Sequence, residues 1–409
     1  MAIPRTKPGN YPAILSYGFR PFFLLGSLHA GLAIIFWLPL FYGFVETASL
    51  FAPVDWHIHE MLFGYIAAVV TGFLLTAIPN WTGRLPVQGM PLLMLMLLWL
   101  AGRLAVFFSG TIGWIATAAI DSAFLFAVAT AAAVEIVAGR NWRNLKVLAP
   151  ISVLFAANLL FHVEAHSSGL SDFSRRLGIG AVILLIMIIG GRIIPSFTRN
   201  WLVRANPGRL PVPFGRYDAG ATVLSAVALI AWTLLPDRTF TGVVLLAAAL
   251  FNTARLARWA GDRTLREPLV IMLHLAYAFV PVGLFLAGLA AIFPRMVPQA
   301  AGMHAFGVGA VGCMTLAVMM RATLGHTGRE LRAGVDGCFV FAVVLLAGVL
   351  RVCAAFHPDQ PFLLHLSAAA WSAGFLGYAV LFGGMLLKPK LHAGEDEGRD
   401  LLVRLLPRA

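Results

Sequence analysis

The sequence predicts an all-α polytopic membrane protein of about twelve transmembrane helices in a single bundle. Three observations lead there. Of 409 residues, 60% are hydrophobic and only 12% charged, with a mean hydropathy of +0.85, far from the roughly half-apolar, quarter-charged composition of soluble domains. Apolar runs long enough to cross a bilayer recur along the chain. Basic residues gather on alternate connections between those runs, which is how membrane proteins fix their orientation.

Runs bounded by Gly, Pro and charge predict spans at about 21–43, 57–79, 89–109, 112–138, 145–165, 174–196, 218–236, 239–257, 268–292, 299–321, 334–356 and 361–387. Ahead of the first, MAIPRTKPGNYPAILSYGFRPFF is basic and Pro-rich, without the short apolar core and small-residue cleavage site of a signal peptide. After the last, the stretch from Lys388 with GEDEGRD reads as a solvated tail. Residues 1–20 and 388–409 are therefore expected to flank one bundle that carries no soluble domain.

One set of alternate segments, both chain ends included, carries 24 Lys and Arg; the other carries only Arg175, Arg176, Arg238, Arg295 and Arg351. This split predicts both termini in the cytoplasm and supports an even number of spans. The net charge of +12 then belongs to membrane topology, and a nucleic-acid partner is excluded. Cys313, Cys338 and Cys353 fall in apolar runs without metal-knuckle spacing, which argues against a disulfide framework or a zinc ribbon. Arg103 and Asp121 lie within adjacent spans 3 and 4, where lone charges are costly, and are expected to pair.

A weak internal repeat runs through the chain. Thr82-Gly83-Arg84 matches Thr327-Gly328-Arg329 at an offset of 245, which also brings His59 onto His304 and Gly64 onto Gly309. Ile194-Pro195 and Thr198 match Ile78-Pro79 and Thr82 at an offset of 116, where Arg175 replaces the histidine. Spans 2, 6 and 10 are four apart, which suggests three four-helix units around a pseudo-threefold axis.

The eleven histidines are the strongest chemical signal in a chain this poor in polar groups. Seven of them (His57, His59, His162, His166, His304, His357 and His365) collect towards the outer face, whereas His29 is mid-span, His274 and His326 lie towards the inner side, and His392 is in the tail. Intramembrane ionisable residues default to function, and neutral imidazole ligates haem iron and copper. In Trp56-His57-Ile58-His59-Glu60 the two histidines point about 200° apart on a helix, so they cannot chelate one ion together but can serve two neighbouring sites. His59 and His304, at matched depth on parallel helices, are candidates for the two faces of one haem. Gly302, Gly307, Gly309 and Gly312 would admit either a flat macrocycle or a neighbouring helix. His162 and His166 have the i, i+4 spacing of a metal pair, with Glu164 between them. Lacking CxxCH, the chain would hold a b-type haem by ligation and packing alone. Glu60 is the candidate catalytic carboxylate, to relay protons or complete a metal shell. Towards the inner side, Asn80, Arg84, Arg192, Arg199, Arg321, His326 and Arg329 form a basic constellation suited to haem propionates or lipid phosphates.

SYGFRPFFLLG (16–26), WHIHEMLFGY (56–65), GFLLTAIPNWTGR (72–84), GGRIIPSFTRN (190–200) and HAFGVGAVGCMTLAVMMRATLGHTGR (304–329) resemble the NnrS family of bacterial inner-membrane proteins. The resemblance implies a haem- and copper-containing protein linked to denitrification and relief of nitric oxide stress. Its motifs carry His57, His59, Glu60, His304, Arg321 and His326. Three four-helix arcs with histidines at the outer ends of spans 2 and 10 also look like the catalytic subunit of haem-copper oxidases and their NO-reducing relatives. That superfamily takes copper or iron ligands from spans 6 and 7, which have no histidine here, so any copper would draw on His57, His162 or His365.

Three functions fit this reading. One is a haem protein, with copper beside it, that binds or reductively removes nitric oxide as a nitric oxide reductase-type oxidoreductase, fed by an electron donor not encoded in the chain. The others are a secondary transporter of a small anion or metal, and a sensor or assembly factor without turnover.

Overall fold

The computed structural model describes residues 10–391, and the expectations for the two chain ends, His392 among them, lie outside the described residues. Twelve helices are long and apolar enough to cross a membrane: α1 (Phe19–Phe41), α2 (Pro53–Thr82), α3 (Met90–Phe107), α4 (Trp114–Ala138), α5 (Trp142–Ser168), α6 (Asp172–Ala205), α7 (Arg216–Leu234), α8 (Thr239–Arg263), α9 (Pro268–Ile292), α10 (Gln299–His326), α11 (Gly334–Phe356) and α12 (Pro361–Leu387). Among the described residues there is no β-strand. Proline opens several of these helices, at Pro53, Pro268 and Pro361, positions where its missing N–H is an orphan in any case.

The spans agree with those expected from hydropathy to within a few residues, except where polar residues prolong a helix. α6 continues nine residues past the expected 196 to Ala205, because Pro195 is tolerated inside it and the amphipathic SFTRNWLVRA carries the helix on. α8 likewise runs on, with a last irregular turn at Gly261–Arg263. Arg255, near the expected end of the eighth span, is buried in α8: it donates to Asp218 of α7 at 3.1 Å and to the Tyr277 hydroxyl of α9 at 3.0 Å.

Three four-helix groups repeat the same neighbours. The joints between them, α4 with α5, α8 with α9 and α12 with α1, are all packed, and α1, α5 and α9 also touch α10, α2 and α6 respectively. At the α12–α1 joint the Trp371 indole donates to the Ala30 carbonyl (2.9 Å) and the Ser372 hydroxyl to that of Gly31 (3.0 Å). Helices α2, α6 and α10 meet at the centre, and the Tyr65 hydroxyl of α2 bonds that of Thr315 on α10. Residues 10 and 391 lie on one face of the bundle, called the terminal face below, because the number of spans is even.

The repeat is deeper than the short sequence matches. α2 widens into π-helical turns at Glu60–Ile66 and α10 at Ala305–Gly312, positions that begin 245 residues apart. The same offset relates Pro53 to Pro298 at the helix starts, and Gly83 (φ 71°) to Gly328 (φ 79°) at the ends, where a left-handed residue closes the last turn. A π turn inserts one residue into a helix and rotates everything before it.

Most of the expected small face of α10 receives neighbouring helices. A Cβ on Gly302 would meet the Ala287 backbone of α9, one on Gly309 the Phe279 ring and one on Gly312 the Trp371 ring, whereas Gly307 faces open space. Gly309→Ala is therefore expected to destabilise the detergent-solubilised protein by about 1–3 kcal/mol, the usual cost of overpacking, while Gly307→Ala leaves its melting temperature unchanged.

Candidate functional site

Two polar sites lie towards the face opposite the termini, one on each side of the start of α2. The first is a buried cluster. Arg103 of α3 donates to Glu60 Oε1 of α2 (2.7 Å) and pairs through its other terminal nitrogen with Asp121 of α4, so the expected Arg103–Asp121 pair is present as part of a larger group. His59 sets Nδ1 3.2 Å from Glu60 Oε1 and Nε2 3.1 Å from both Asp121 Oδ2 and the Asn158 side-chain oxygen. His162 of α5 brings Nε2 to 3.0 Å from Asp121 Oδ2, the Asn158 amide donates to that oxygen at 2.8 Å, and His29 of α1 lies 2.9 Å from Glu60 Oε2. His59, Glu60, Arg103, Asp121, Asn158 and His162 are all buried.

Local structure explains how so many groups converge. Gly64, inside the π turns, leaves room for His29 and Arg103 to cross the backbone of α2, and its carbonyl accepts from the Trp99 indole at 2.9 Å. Phe51, in the α1–α2 connection, lies with its ring centroid 5.0 Å from that of His59 and 5.2 Å from that of His162.

The chemistry of the cluster calls for a cation. Two carboxylates face one guanidinium, which leaves a surplus negative charge in a place where unpaired charge is costly. Both ring nitrogens of His59 face acceptors, yet a neutral imidazole has one N–H. A second proton or a metal ion resolves both mismatches. One ligand atom from each of His59, Asp121 and His162 lies within 4.8 Å of the others, a two-histidine, one-carboxylate set without sulfur that suits copper, iron or zinc.

The second site is a cavity of about 360 Å³ bounded chiefly by α1, α2, α6, α10, α11 and α12. His57 and His304 both line it. The His57 ring stacks on Trp37 (centroids 4.3 Å apart), and its Nδ1 has no hydrogen-bond partner. His304 Nδ1 donates to the Ala300 carbonyl at 2.7 Å, which leaves Nε2 as the basic nitrogen. Arg175, Arg176 and Arg351 line the same cavity and no carboxylate does. Arg176 and Arg351 make no ion pair among the described residues, and Arg175 pairs with Asp172.

The structure thus separates the expected ligands into two groups. His304 shares its cavity with His57, whereas His59 is turned away towards α4 and α5; the 200° divergence of His57 and His59 sends each to a different site. His162 joins the cluster, but His166 stacks on Trp114 (4.4 Å) at the exposed end of α5, and Glu164 caps the start of α6 at the Phe173 and Ser174 amides, so the i, i+4 pair does not close on one ion. His365 is exposed beside Tyr42 and His357 is exposed as well; neither reaches either site. Arg321 and His326 line a separate cavity towards the terminal face. The basic constellation suited to haem propionates or lipid phosphates does not line the cavity of His57 and His304, whose cations are Arg175, Arg176 and Arg351. Those three are among the five cations that the cation count assigns to the poorly charged side, and a cation against the positive-inside trend needs a local reason. Asn158, a neutral residue in an apolar run, gave no such signal.

Comparison with known proteins gives one finding: the family described as NnrS protein matches residues 13–390. No curated protein and no solved structure matches the chain.

The charge balance of the cluster makes a prediction about stability. Arg103→Gln should destabilise the protein by about 3–5 kcal/mol, the usual cost of breaking a buried pair, and Glu60→Gln added to it should restore part of the loss, because the double variant returns to the original surplus of one negative charge. Thermal melts in detergent read both; a double variant no more stable than Arg103→Gln would reject the charge-balance account.

Proposed function

The chain belongs to the NnrS family, a membership that ties it to the nitric oxide response, and from that premise we propose that it is a haem and copper membrane protein that binds or reductively removes nitric oxide. The observation that carries this reading is the division of the histidines: His57 and His304 face one cavity, while His59 and His162 meet Asp121 beside it.

A b-type haem fits the cavity by the chemistry of its lining. The unpartnered Nδ1 of His57 and the free Nε2 of His304 are the ligands on offer, the open space before Gly307 admits a flat ring, and Arg175, Arg176 and Arg351 supply the donors that two propionates need. Copper fits the cluster, where its charge would offset the surplus carboxylate. When bound, the two cofactors supply redox chemistry and a coordination site for nitric oxide. The protein's own part is to hold His57 flat against Trp37, fix the His304 tautomer through Ala300, and exclude water with Phe51. Glu60, bonded to Arg103 and next to His29, is placed to take and return a proton at Oε2. Joining two nitric oxide molecules and removing one oxygen requires protons and electrons at one place. Glu60 meets the first need, and an external electron donor the second.

The cation distribution orients both sites to the periplasmic side of a bacterial inner membrane, with the termini in the cytoplasm. An apolar diatomic reaches them through the lipid bilayer itself, without a polar channel. The helical arrangement supports the likeness to haem-copper oxidases through its three four-helix groups, not through its ligands, since α6 brings Arg175 and Arg176 to the cavity and α7 brings Trp232, and neither helix has the histidine of that superfamily. One observation favours a second reading, a secondary transporter of a small anion or metal: cavities towards both faces share α2, α6 and α10.

Haem and metal content decide between these. His57→Ala and His304→Ala should each lower pyridine-haemochrome haem while copper is retained; His59→Ala and His162→Ala should do the reverse. Protein without a Soret band, or full haem in both of the first two variants, would reject the haem site. Anaerobic nitric oxide consumption with a chemical reductant then separates turnover from binding: turnover predicts a rate that falls in Glu60→Gln and in copper-depleted protein, whereas a background rate in haem-replete wild type favours binding alone.

A further inference from the structure

The cavity towards the terminal face is untouched by the haem and copper reading and shares no residue with the His57–His304 cavity. It measures about 550 Å³. All three central helices contribute to it, and they do so through the strings that mark the repeat: Asn80 and Trp81 from α2, Arg192 and Ser196 from α6, Arg321 and His326 from α10.

Its electrostatics are one-sided. Arg192 and Arg321 are both only partly exposed, and no carboxylate lines the cavity. Neither arginine makes an ion pair among the described residues. The partner of Arg192 is a neutral amide oxygen, Asn144 Oδ1 at 3.1 Å, and Arg143 adds a like charge nearby. Arg321 stacks over the Phe197 ring at 4.0 Å. Stacking fixes the guanidinium plane and leaves its edge N–H groups for an acceptor. Glu267 is close enough to be felt by Arg321 but does not pair with it. Two half-buried guanidiniums in a low-dielectric cavity are costly without a counter-anion.

Size and lining define that anion further. The cavity exceeds what one inorganic anion needs, and Phe23, Phe73 and Leu273 supply apolar wall beyond the arginines. We propose that this cavity binds a phosphate-type oxyanion between Arg192 and Arg321, presented as the headgroup of an acidic lipid whose first methylenes lie against those apolar residues. Basic pockets between helices towards the cytoplasmic leaflet bind acidic headgroups in this manner. The same chemistry accepts free phosphate, and the two sources differ in whether the apolar wall is used.

The test uses the full-length protein, delipidated in detergent. Native mass spectrometry and thermal melts are recorded with phosphatidylglycerol, with zwitterionic phosphatidylethanolamine and with inorganic phosphate. Phosphatidylglycerol should bind and raise the melting temperature by several degrees, and Arg192→Gln/Arg321→Gln should weaken that binding by about tenfold or more, while Arg209→Gln, which removes an exposed cation paired with Asp262, leaves it intact. Stabilisation by inorganic phosphate to the same extent, lost in the same double variant, supports the oxyanion site with the free ion as its source. Arg321→Lys keeps the charge without the fork and should bind with intermediate strength, which maintains the test if the double variant fails to fold. Equal binding of both lipids by wild type, phosphatidylglycerol binding indifferent to either arginine variant, or loss of haem from the double variant would overturn the proposal, the last because the arginines would then serve propionates.

Discussion

A guanidinium inside hydrocarbon keeps its charge and must find its acceptors there. Arg103 meets that demand by reaching a carboxylate on each side, Glu60 on α2 and Asp121 on α4, and the arrangement of the site follows. With Glu60 fixed, the α2 backbone can present His59 only towards α4 and α5, where Asn158 and His162 complete its surroundings. With His59 fixed, His57 two residues earlier is committed to the opposite side and so to the cavity. The cluster is stabilised by mutual satisfaction rather than by any single pair, as a buried polar network must be. The same logic recurs where Arg255 joins Asp218 to Tyr277 and Asn252, which locks α7, α8 and α9 together.

The repeat gives the two sites a common origin in geometry. α2 meets α4 and α5 on one side; α10 meets α12 and α1 in the corresponding way. His59 and His304 occupy equivalent positions ahead of equivalent π turns, and each points into its own version of this junction. One junction is filled by side chains that satisfy each other; the other is left open and edged with arginine. Arg175, the third equivalent residue, completes the edge of the open one. A single scaffold therefore supports a tight metal-type site and a roomier cofactor-type site side by side.

Hydropathy carried most of the fold, because each span must shield its own backbone from lipid and does so with a long apolar helix whatever its neighbours are. It failed at the end of α6, where residues past Pro195 continue a helix that composition alone would end, and it placed Arg255 in a span without showing that its charge is buried against Asp218, 37 residues earlier. For the site, the Arg103–Asp121 pair was legible since two opposite charges in adjacent spans have few other solutions. The divergence of His57 and His59 was legible from helix geometry, but not which face either would meet: that depends on the rotation of α2 imposed by its π turns and by Arg103. Arg175, Arg176 and Arg351 were visible as exceptions to the charge distribution, though their convergence required the three-dimensional packing of both α6 and α11 against α10. Asn158 carried no charge or spacing signal at all.

The cluster and the open cavity also differ in when a growing chain can complete them. Every residue of the cluster, from His29 to His162, belongs to α1–α5, so the whole group exists once the first five helices have entered the membrane. The cavity of His57 and His304 needs α10, α11 and α12, the last three to emerge. Chains fold from the N-terminus as they are made, and a metal ion could therefore be captured by a half-built protein, whereas a haem would have to wait for the finished one. On the proposed function, the order of synthesis alone would set copper before haem.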